Sequence, residues 1–320
     1  MTVGSKHILI VGSVNMDLML RCGHLPGAGE TVLGAGFNTA PGGKGANQAI
    51  AAARLGAKVA FVGCVGDDAF GQAAFNALQG EGINTQYLSR ESGAATGVAM
   101  VITDEAGENC IALAPGANAL LSPAHIDAAQ ALFADASMLI CQLESPLATV
   151  RHAIRVAVRH GVPVLLNPAP SQALPADLLR DIDWLVPNAG EAAALSGLGA
   201  DAQASAAQSA ELLRLAGPRT VLVTMGSDGV VAATDQGCIH RPAIQVQAVD
   251  TTGAGDTFVG ALAAARFLGL ALEAAIDLAQ RAAAFSVTRS GAQASMPRLA
   301  DLHLPSTPTG TPSGMRLGTG

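Results

Sequence analysis

The feature that most constrains this chain is an alternation. Short apolar runs rich in β-branched residues, at 7–11, 59–62, 138–141, 163–166, 184–186 and 221–224, exchange with alanine-rich stretches of helical period. Those stretches fall at 44–55, 70–79, 123–133, 147–160, 202–215, 254–268 and 273–288. A strand without a polar face must be covered on both sides, and a helical crossover returns the chain for a parallel partner. The expected fold is therefore α/β, a doubly wound, mostly parallel sheet with helices on both faces. Gly56, Gly80 and Gly161 each follow a helical stretch, where a left-handed cap residue is wanted.

Two places break the pattern. Residues 18–22 and 31–33 read as extended around the Pro26-Gly27 turn, and 96–103 with 109–114 read as a hairpin around 104–107. No helix separates the paired segments, which predicts a small antiparallel β lid built from 15–40 and 94–114. The α/β domain would then comprise 1–14, 41–93 and 115–304. From Pro305 the residues are Pro, Gly, Ser and Thr with little to bury, and 305–320 reads as a disordered tail.

Half of the 320 residues are hydrophobic and 13% are charged, ample for a packed core. Aromatics are 3%, too few to stack single-stranded nucleic acid, so the core rests on Ala, Val, Leu and Ile. The net charge of −7 leaves no electrostatic footprint for nucleic acid or an anionic membrane. Any phosphate must be held locally, by backbone amides and a metal. The longest uncharged stretch, 109–126, contains Pro115, Gly116 and Pro123 and is no spanning helix. The apolar run at 8–11 is too short for a signal-peptide core. Five scattered cysteines without a CxxC pair read as buried reduced thiols, which suits a cytoplasmic chain. The seven histidines show no metal-ligand spacing, and no G-x-S-x-G marks a serine nucleophile.

The chemistry-bearing residues cluster at glycine-rich helix starts and strand exits. Asp250-Thr251-Thr252-Gly253-Ala254-Gly255-Asp256 runs straight into a helical stretch. Small residues there let the first backbone N–H groups approach an anion, which the helix dipole favours. Asp256 suits a general base beside that anion, taking the proton of an attacking hydroxyl; the alternative is that it merely caps the helix. Phe258 rules out GxGxxG, and Gly42-Gly43-Lys44-Gly45 lacks the first Gly and the final Ser or Thr of a P-loop. That second glycine run opens another helix, where Lys44 and Asn47 offer donors to hydroxyls or phosphate, unless Lys44 is simply solvated. Asn15 and Asp17 leave the first strand and could hold a vicinal diol, or form a polar turn. Glu144, Asn167, Asn188, Glu191 and the segment 224–229 leave later strands in the same way. So many polar strand exits describe a ligand cleft.

Taken together these residues resemble the phosphofructokinase-B-type carbohydrate kinases over about residues 8–304. The carriers are 12–17, 42–49, Gln142-Leu143-Glu144-Ser145-Pro146, Asn167-Pro168-Ala169-Pro170, 249–258 and 288–293. The segments at 42–48 and 142–146 narrow the resemblance to the branch that phosphorylates ribose. It implies transfer of the γ-phosphoryl of ATP to O5 of D-ribose. Asp256 matches the base, and Gly253, Ala254 and Gly255 the anion hole. Asn15, Asp17, Gly43, Lys44, Asn47 and Glu144 match sugar-binding positions. Asn188, Thr224, Gly226, Ser227, Gly229, Gly255 and Gln280 match nucleotide contacts, and Glu191 is associated with Mg2+ and phosphate.

The resemblance further implies an activating K+ at Asp250, Thr252, Ser286, Arg289, Gly291 and Ser295, and a homodimer whose lids clasp. Gln280 stands where relatives often carry His or Asn, Gly190 stands in a more often polar place, and the tail after Leu304 has no counterpart. Two other readings stand beside it: a kinase of another sugar or nucleoside (2-deoxyribose, fructose, adenosine, pseudouridine), and a non-catalytic sugar-binding protein on the same fold.

Overall fold

The computed structural model describes residues 6–198 and 205–302, so the segment read as a tail lies outside the described residues. Its strands are β1 (His7–Val11), β2 (Asn15–Cys22), β3 (Gly34–Gly42), β4 (Val59–Gly66), β5 (Asn84–Glu91), β6 (Gly97–Thr103) and β7 (Asn109–Ala114). They continue as β8 (Ala136–Cys141), β9 (Val164–Leu166), β10 (Trp184–Leu185), β11 (Thr220–Thr224), β12 (Val230–Thr234) and β13 (Gly237–Arg241). The longer helices are α1 (Lys44–Arg54), α2 (Ala69–Gly80), α3 (Leu147–Arg159), α4 (Ala189–Ser196), α5 (Ala206–Leu215), α6 (Ala254–Phe267) and α7 (Leu272–Ser286).

One sheet runs in the order β13-β12-β11-β10-β9-β8-β1-β4-β5. Its pairings are parallel from β5 through β11 and antiparallel from β11 to β13. From β1 the chain winds outward through β4 and β5, then crosses to β8 and steps away through β9, β10 and β11. Strand order therefore reverses between β1 and β8, and the crevice beyond their carboxyl ends is where such a sheet takes its ligand.

Successive residues of β1 face opposite sides. Ile8 and Ile10 enter the core shared with α1, α6 and α7, while Leu9 and Val11 enter the core shared with α3; all four are fully buried. Each such side chain contributes about 1.5–3 kcal/mol relative to exposure, which fixes the strand exits that carry the polar residues. The approach of α1 to α6 depends on small residues. A Cβ at Gly260 would lie 2.6 Å from Gln48 O and 3.0 Å from Ala52 N, so glycine alone lets the two helices close. That contact sets the start of α1 against the start of α6.

A second sheet, β3-β2-β6-β7, stands apart from the first. Two antiparallel pairs, β2–β3 and β6–β7, are joined by a parallel pairing of β2 with β6. The strand following the Pro-Gly turn starts at Gly34 rather than within 31–33. It is an exposed edge strand containing Pro41, and edge strands carry little of the apolar alternation that marks a buried one. The expected helix at 123–133 divides into Pro123–Ala128 and Ala131–Ala134. Among the described residues, no helix is long and apolar enough to cross a membrane.

Candidate active site

The start of α6 is a tight turn. Gly253 is its N-cap at φ +73°, a left-handed conformation open to glycine, and no side chain caps the helix. Asp256 is therefore not a cap. It is 8% exposed and points into the crevice, where Oδ2 accepts from Asn47 Nδ2 at 2.9 Å and Oδ1 from Gln48 Nε2 at 3.0 Å. The N–H of Ala254 donates to Thr251 O at 3.2 Å, while those of Gly253 and Gly255 make no such bond. A chamber of about 140 Å³ is lined by Lys44, Asn167, Asn188, Glu191, Gly253, Ala254, Gly255 and Asp256.

The exits of β1 and β8 meet on the other side of Asp256. Glu144 Oε2 accepts from Ser13 Oγ at 2.6 Å, Lys44 N at 3.1 Å and Asn15 Nδ2 at 3.3 Å. Asn118, which the sequence did not single out, donates through Nδ2 to Asn15 Oδ1 at 2.7 Å and so turns the Asn15 amide toward Glu144. Asp17 lies beside them, its carboxyl against Gly42, where any Cβ would collide with it. The sequence-picked residues Asn15, Asp17, Gly43, Lys44, Asn47, Glu144 and Asp256 are thus brought to one place.

Among the described residues, Lys44 is the only Lys or Arg lining the chamber. Burial pulls its ammonium down, but Asp256, Glu144, Glu191 and Asp17 outweigh it and hold the group above the usual lysine range. Burial likewise lifts the Glu191 carboxyl, against the Asn188 N–H and Lys44, which pull it down. Asn188 and Glu191 also form a reciprocal capping box at the start of α4, with both bonds at 2.8 Å. Asp256, Glu144 and Glu191 around one lysine make a poor host for a bare triphosphate, and a divalent cation would correct that balance.

Asp17 carries the largest shift in the cluster. Burial, then Glu144 and Asp256, push its carboxyl from an ordinary 3.8 to about 7, with Lys44 opposing. Folding therefore tightens this proton. Below the ordinary value both states are protonated and the group is neutral to stability; as pH rises to about 7 the folded state must lose a proton it favours. The accumulated destabilisation above that pH reaches up to about 4 kcal/mol at ~1.36 kcal/mol per unit. Asp17→Asn is expected to raise the urea midpoint at pH 8 and leave it nearly unchanged at pH 4. Equal changes at both pH values would show that the carboxyl is not perturbed in this way.

A larger cavity of about 380 Å³ continues from the amide turn, lined by Thr224, Gly226, Ser227, Gly229, Gly255, Phe258 and Gln280 among others. Its walls are mostly apolar, as a nucleobase site requires. Gln280 turns its NH2 to Arg241 O at 3.0 Å and Pro242 O at 3.1 Å, leaving only Oε1 to offer. Near the same turn, Asp250 accepts from Thr252 N at 2.9 Å and Gly291 N at 2.8 Å. Burial opposes ionisation of Asp250, but Thr252 and Gly291 hold it below the ordinary carboxylate range. Ser286 and Ser295 are buried and bond to Ala283 O and Ala292 O, and the Arg289 guanidinium stacks on Phe285. No hydrogen bond ties those three to Asp250.

The structure also gathers Cys64, Glu91 and His125, whose candidate ligand atoms lie within 4.8 Å of one another. Sequence spacing could not reveal a trio drawn from β4, β5 and a short helix. His125 Nδ1 accepts from Ser122 N at 3.1 Å, so Nε2 carries the proton and donates to Glu91 Oε1 at 3.2 Å. A metal would need that Nε2 lone pair. Burial first, then Glu91, push the Cys64 thiol up to about 12. The trio is a hydrogen-bonded cluster.

The chain is 41% identical over 292 residues to the ribokinase of Haemophilus influenzae, covering 91% of this chain and 95% of that protein. It is 39% identical over 293 residues to the deoxyribokinase of Salmonella typhi, covering 91% and 96%. The structure of Arabidopsis thaliana ribokinase complexed with ribose and ATP matches with a TM-score of 0.86 at 32% identity, covering 93% of this chain and 97% of that one. The description pfkB family carbohydrate kinase matches residues 5–299, and the chain belongs to that family.

Proposed function

We propose that this protein transfers the γ-phosphoryl group of ATP to O5 of D-ribose, giving D-ribose 5-phosphate and ADP. The observation that carries the reading is the place of Asp256, a buried carboxylate between the polar strand exits and the glycine-rich amide turn. On the first side Asn15, Asp17, Gly43, Lys44, Asn47 and Glu144 hold the sugar hydroxyls, as paired carboxylate and carboxamide groups can. On the second side Gly253, Ala254 and Gly255 face the transferred phosphoryl, with Ala254 releasing Thr251 O to do so. Asp256 takes the proton of the attacking hydroxyl. The larger cavity receives the nucleoside, contacted from Asn188, Thr224, Gly226, Ser227, Gly229 and Gln280.

The chamber's excess of carboxylates fits a Mg2+ that neutralises the triphosphate, held through water near Glu191. Asp250, kept ionised by its N–H donors, fits a K+ site together with Thr252 and Gly291. Such an ion would order the turn that presents the amides. The second sheet acts as a lid over the sugar, and the exposed Phe37 and Met100, on the sheet face opposite Asp17, support a homodimer in which lids meet. Light scattering at working concentration should then give twice the chain mass. All five cysteines are free, though Cys110 and Cys238 are exposed rather than buried as expected, and free thiols suit a reducing, cytoplasmic setting.

The test is ADP release over ribose, 2-deoxyribose, fructose, adenosine and pseudouridine, in K+ and in Na+ at matched ionic strength. Ribose should lead and K+ should raise the rate; equal rates in both ions would remove the K+ site. The second reading, 2-deoxyribose, is favoured by the likeness to a deoxyribokinase. Paired Asn15 and Asp17 favour a sugar with adjacent 2- and 3-hydroxyls instead. No turnover on any of these compounds would leave a sugar-binding protein without activity.

A further inference from the structure

Gln48 and Gln142 stand in two of the segments that identify the family, yet neither belongs to the sugar or nucleotide set. Gln142 is 1% exposed and Gln48 is fully buried. Gln48 Nε2 donates both to Asp256 Oδ1 and to Asn167 Oδ1, each at 3.0 Å. Its Oε1 accepts from Gln142 Nε2 at 2.6 Å. The direction of these bonds is fixed at the far end, because Asn167 Nδ2 donates to Val186 O at 2.8 Å and must show its oxygen to Gln48. A parallel pair serves the other carboxylate oxygen. Gln293 Nε2 donates to Asn47 Oδ1 at 3.1 Å, which turns Asn47 Nδ2 to Asp256 Oδ2.

Gln142 adds an independent sign. Its Oε1 is buried and has no hydrogen-bond partner. It also fills the space beside Gly12, where any Cβ would collide with that oxygen. A buried unpartnered carbonyl is unfavourable, and an apolar side chain of similar shape would avoid it. What an apolar residue could not supply is the Nε2 hydrogen that binds Gln48 Oε1 and, with Asn167 at the other end, holds the Gln48 amide.

We infer that Gln142 and Gln293 are positioning residues: Gln142, with Asn167, holds the Gln48 amide and Gln293 holds the Asn47 amide, so that both oxygens of Asp256 face N–H donors. Gln142 acts through Gln48 and Gln293 through Asn47. Each carboxylate oxygen keeps a lone pair, so the base is aimed while still able to accept a proton. This inference rests on the role proposed for Asp256. The charged groups that face Asp256 from neighbouring elements are Asp17 on β2, Lys44 on α1 and Glu191 on α4, and none of them is altered by the substitutions below.

The decisive variant is Gln142→Met, which keeps the shape and removes both the orienting donor and the orphan acceptor. Its thermal midpoint should equal or exceed that of wild type, while kcat for ribose falls about tenfold, near the worth of one charge-assisted hydrogen bond. KM for ribose should stay within about twofold, and the acid limb of kcat should move to higher pH. Adding Gln142→Met to Gln48→Met should cost nothing beyond Gln48→Met alone, since one residue acts through the other. A lower thermal midpoint with an unmoved acid limb, or additive losses in the double variant, would make Gln142 a packing residue and overturn the inference. Should wild type phosphorylate none of the sugars, the functional reading fails separately. The carboxyl carbon-13 shift of Asp256, assigned by difference from Asp256→Asn, then tests the relay without turnover. An unchanged shift in Gln142→Met would end it.

Discussion

Replacing Asp256 with Asn should lower kcat for ribose by about 10²–10⁴-fold, the usual contribution of a positioned proton acceptor. The protein should still fold and still bind sugar, because the remaining hydroxyl-facing groups hang on Glu144. That residue gathers Ser13, Asn15 and the Lys44 N–H without help from Asp256. The substitution is not silent locally. Both neighbours, Asn47 Nδ2 and Gln48 Nε2, donate toward position 256, so a new amide must set its own N–H group against one of them. Asp256→Ala, which brings no second donor, should lose a comparable share of kcat. Single-turnover kinetics with saturating ATP separate the chemical step from binding. Retention of more than about a tenth of wild-type kcat in both variants would remove Asp256 from the role of base.

The parts of this site that were legible in the sequence are those whose signal is local. Asp256 sits three residues beyond the glycine that starts its helix, and Asn15 and Asp17 follow directly on a buried strand, so residue type and position together declared them. The partners that make those groups work are distant. Asn118 reaches Asn15 across 103 residues, Gln142 reaches Gln48 across 94, and Gln293 reaches Asn47 across 246. No period or motif encodes such pairings; the packing of α1 on α6 and the reversal of strand order between β1 and β8 create them. The sheet was legible for the same reason as Asp256, since β1, β4 and β8 are buried on both faces and read as unbroken apolar runs. Strand β5 reads Asn-Thr-Gln-Tyr-Leu-Ser-Arg-Glu, and β3 carries glycines and a proline. Both lie at sheet edges, where solvent takes the place of a second apolar neighbour and the pattern fades.

Gly43→Ala should damage both stability and activity. Gly43 is the N-cap of α1 at φ +90°, which strains any residue with a side chain. A Cβ there would also stand 2.6 Å from Asn15 N, 2.9 Å from Val14 Cα and 3.0 Å from Ser13 O, all backbone atoms that cannot rotate aside. Strain and overlap each cost about 1–3 kcal/mol, so a loss of about 2–6 kcal/mol is expected in urea unfolding. Gly56, at φ +94° with nothing within 4 Å of its absent Cβ, isolates the first effect. Gly56→Ala should therefore lose only the strain and keep full activity. Activity should separate the two more sharply. Lys44, Asn47 and Gln48 lie within the first five residues of the helix that Gly43 begins, and a displacement of about 1 Å there can cost about 10²-fold in kcat/KM. Equal stability and equal activity in the two variants would mean that α1 does not need its close seat on the exit of β1. Since Asp256 receives both of its donors from α1, that seat is what couples the sugar side of the crevice to the base.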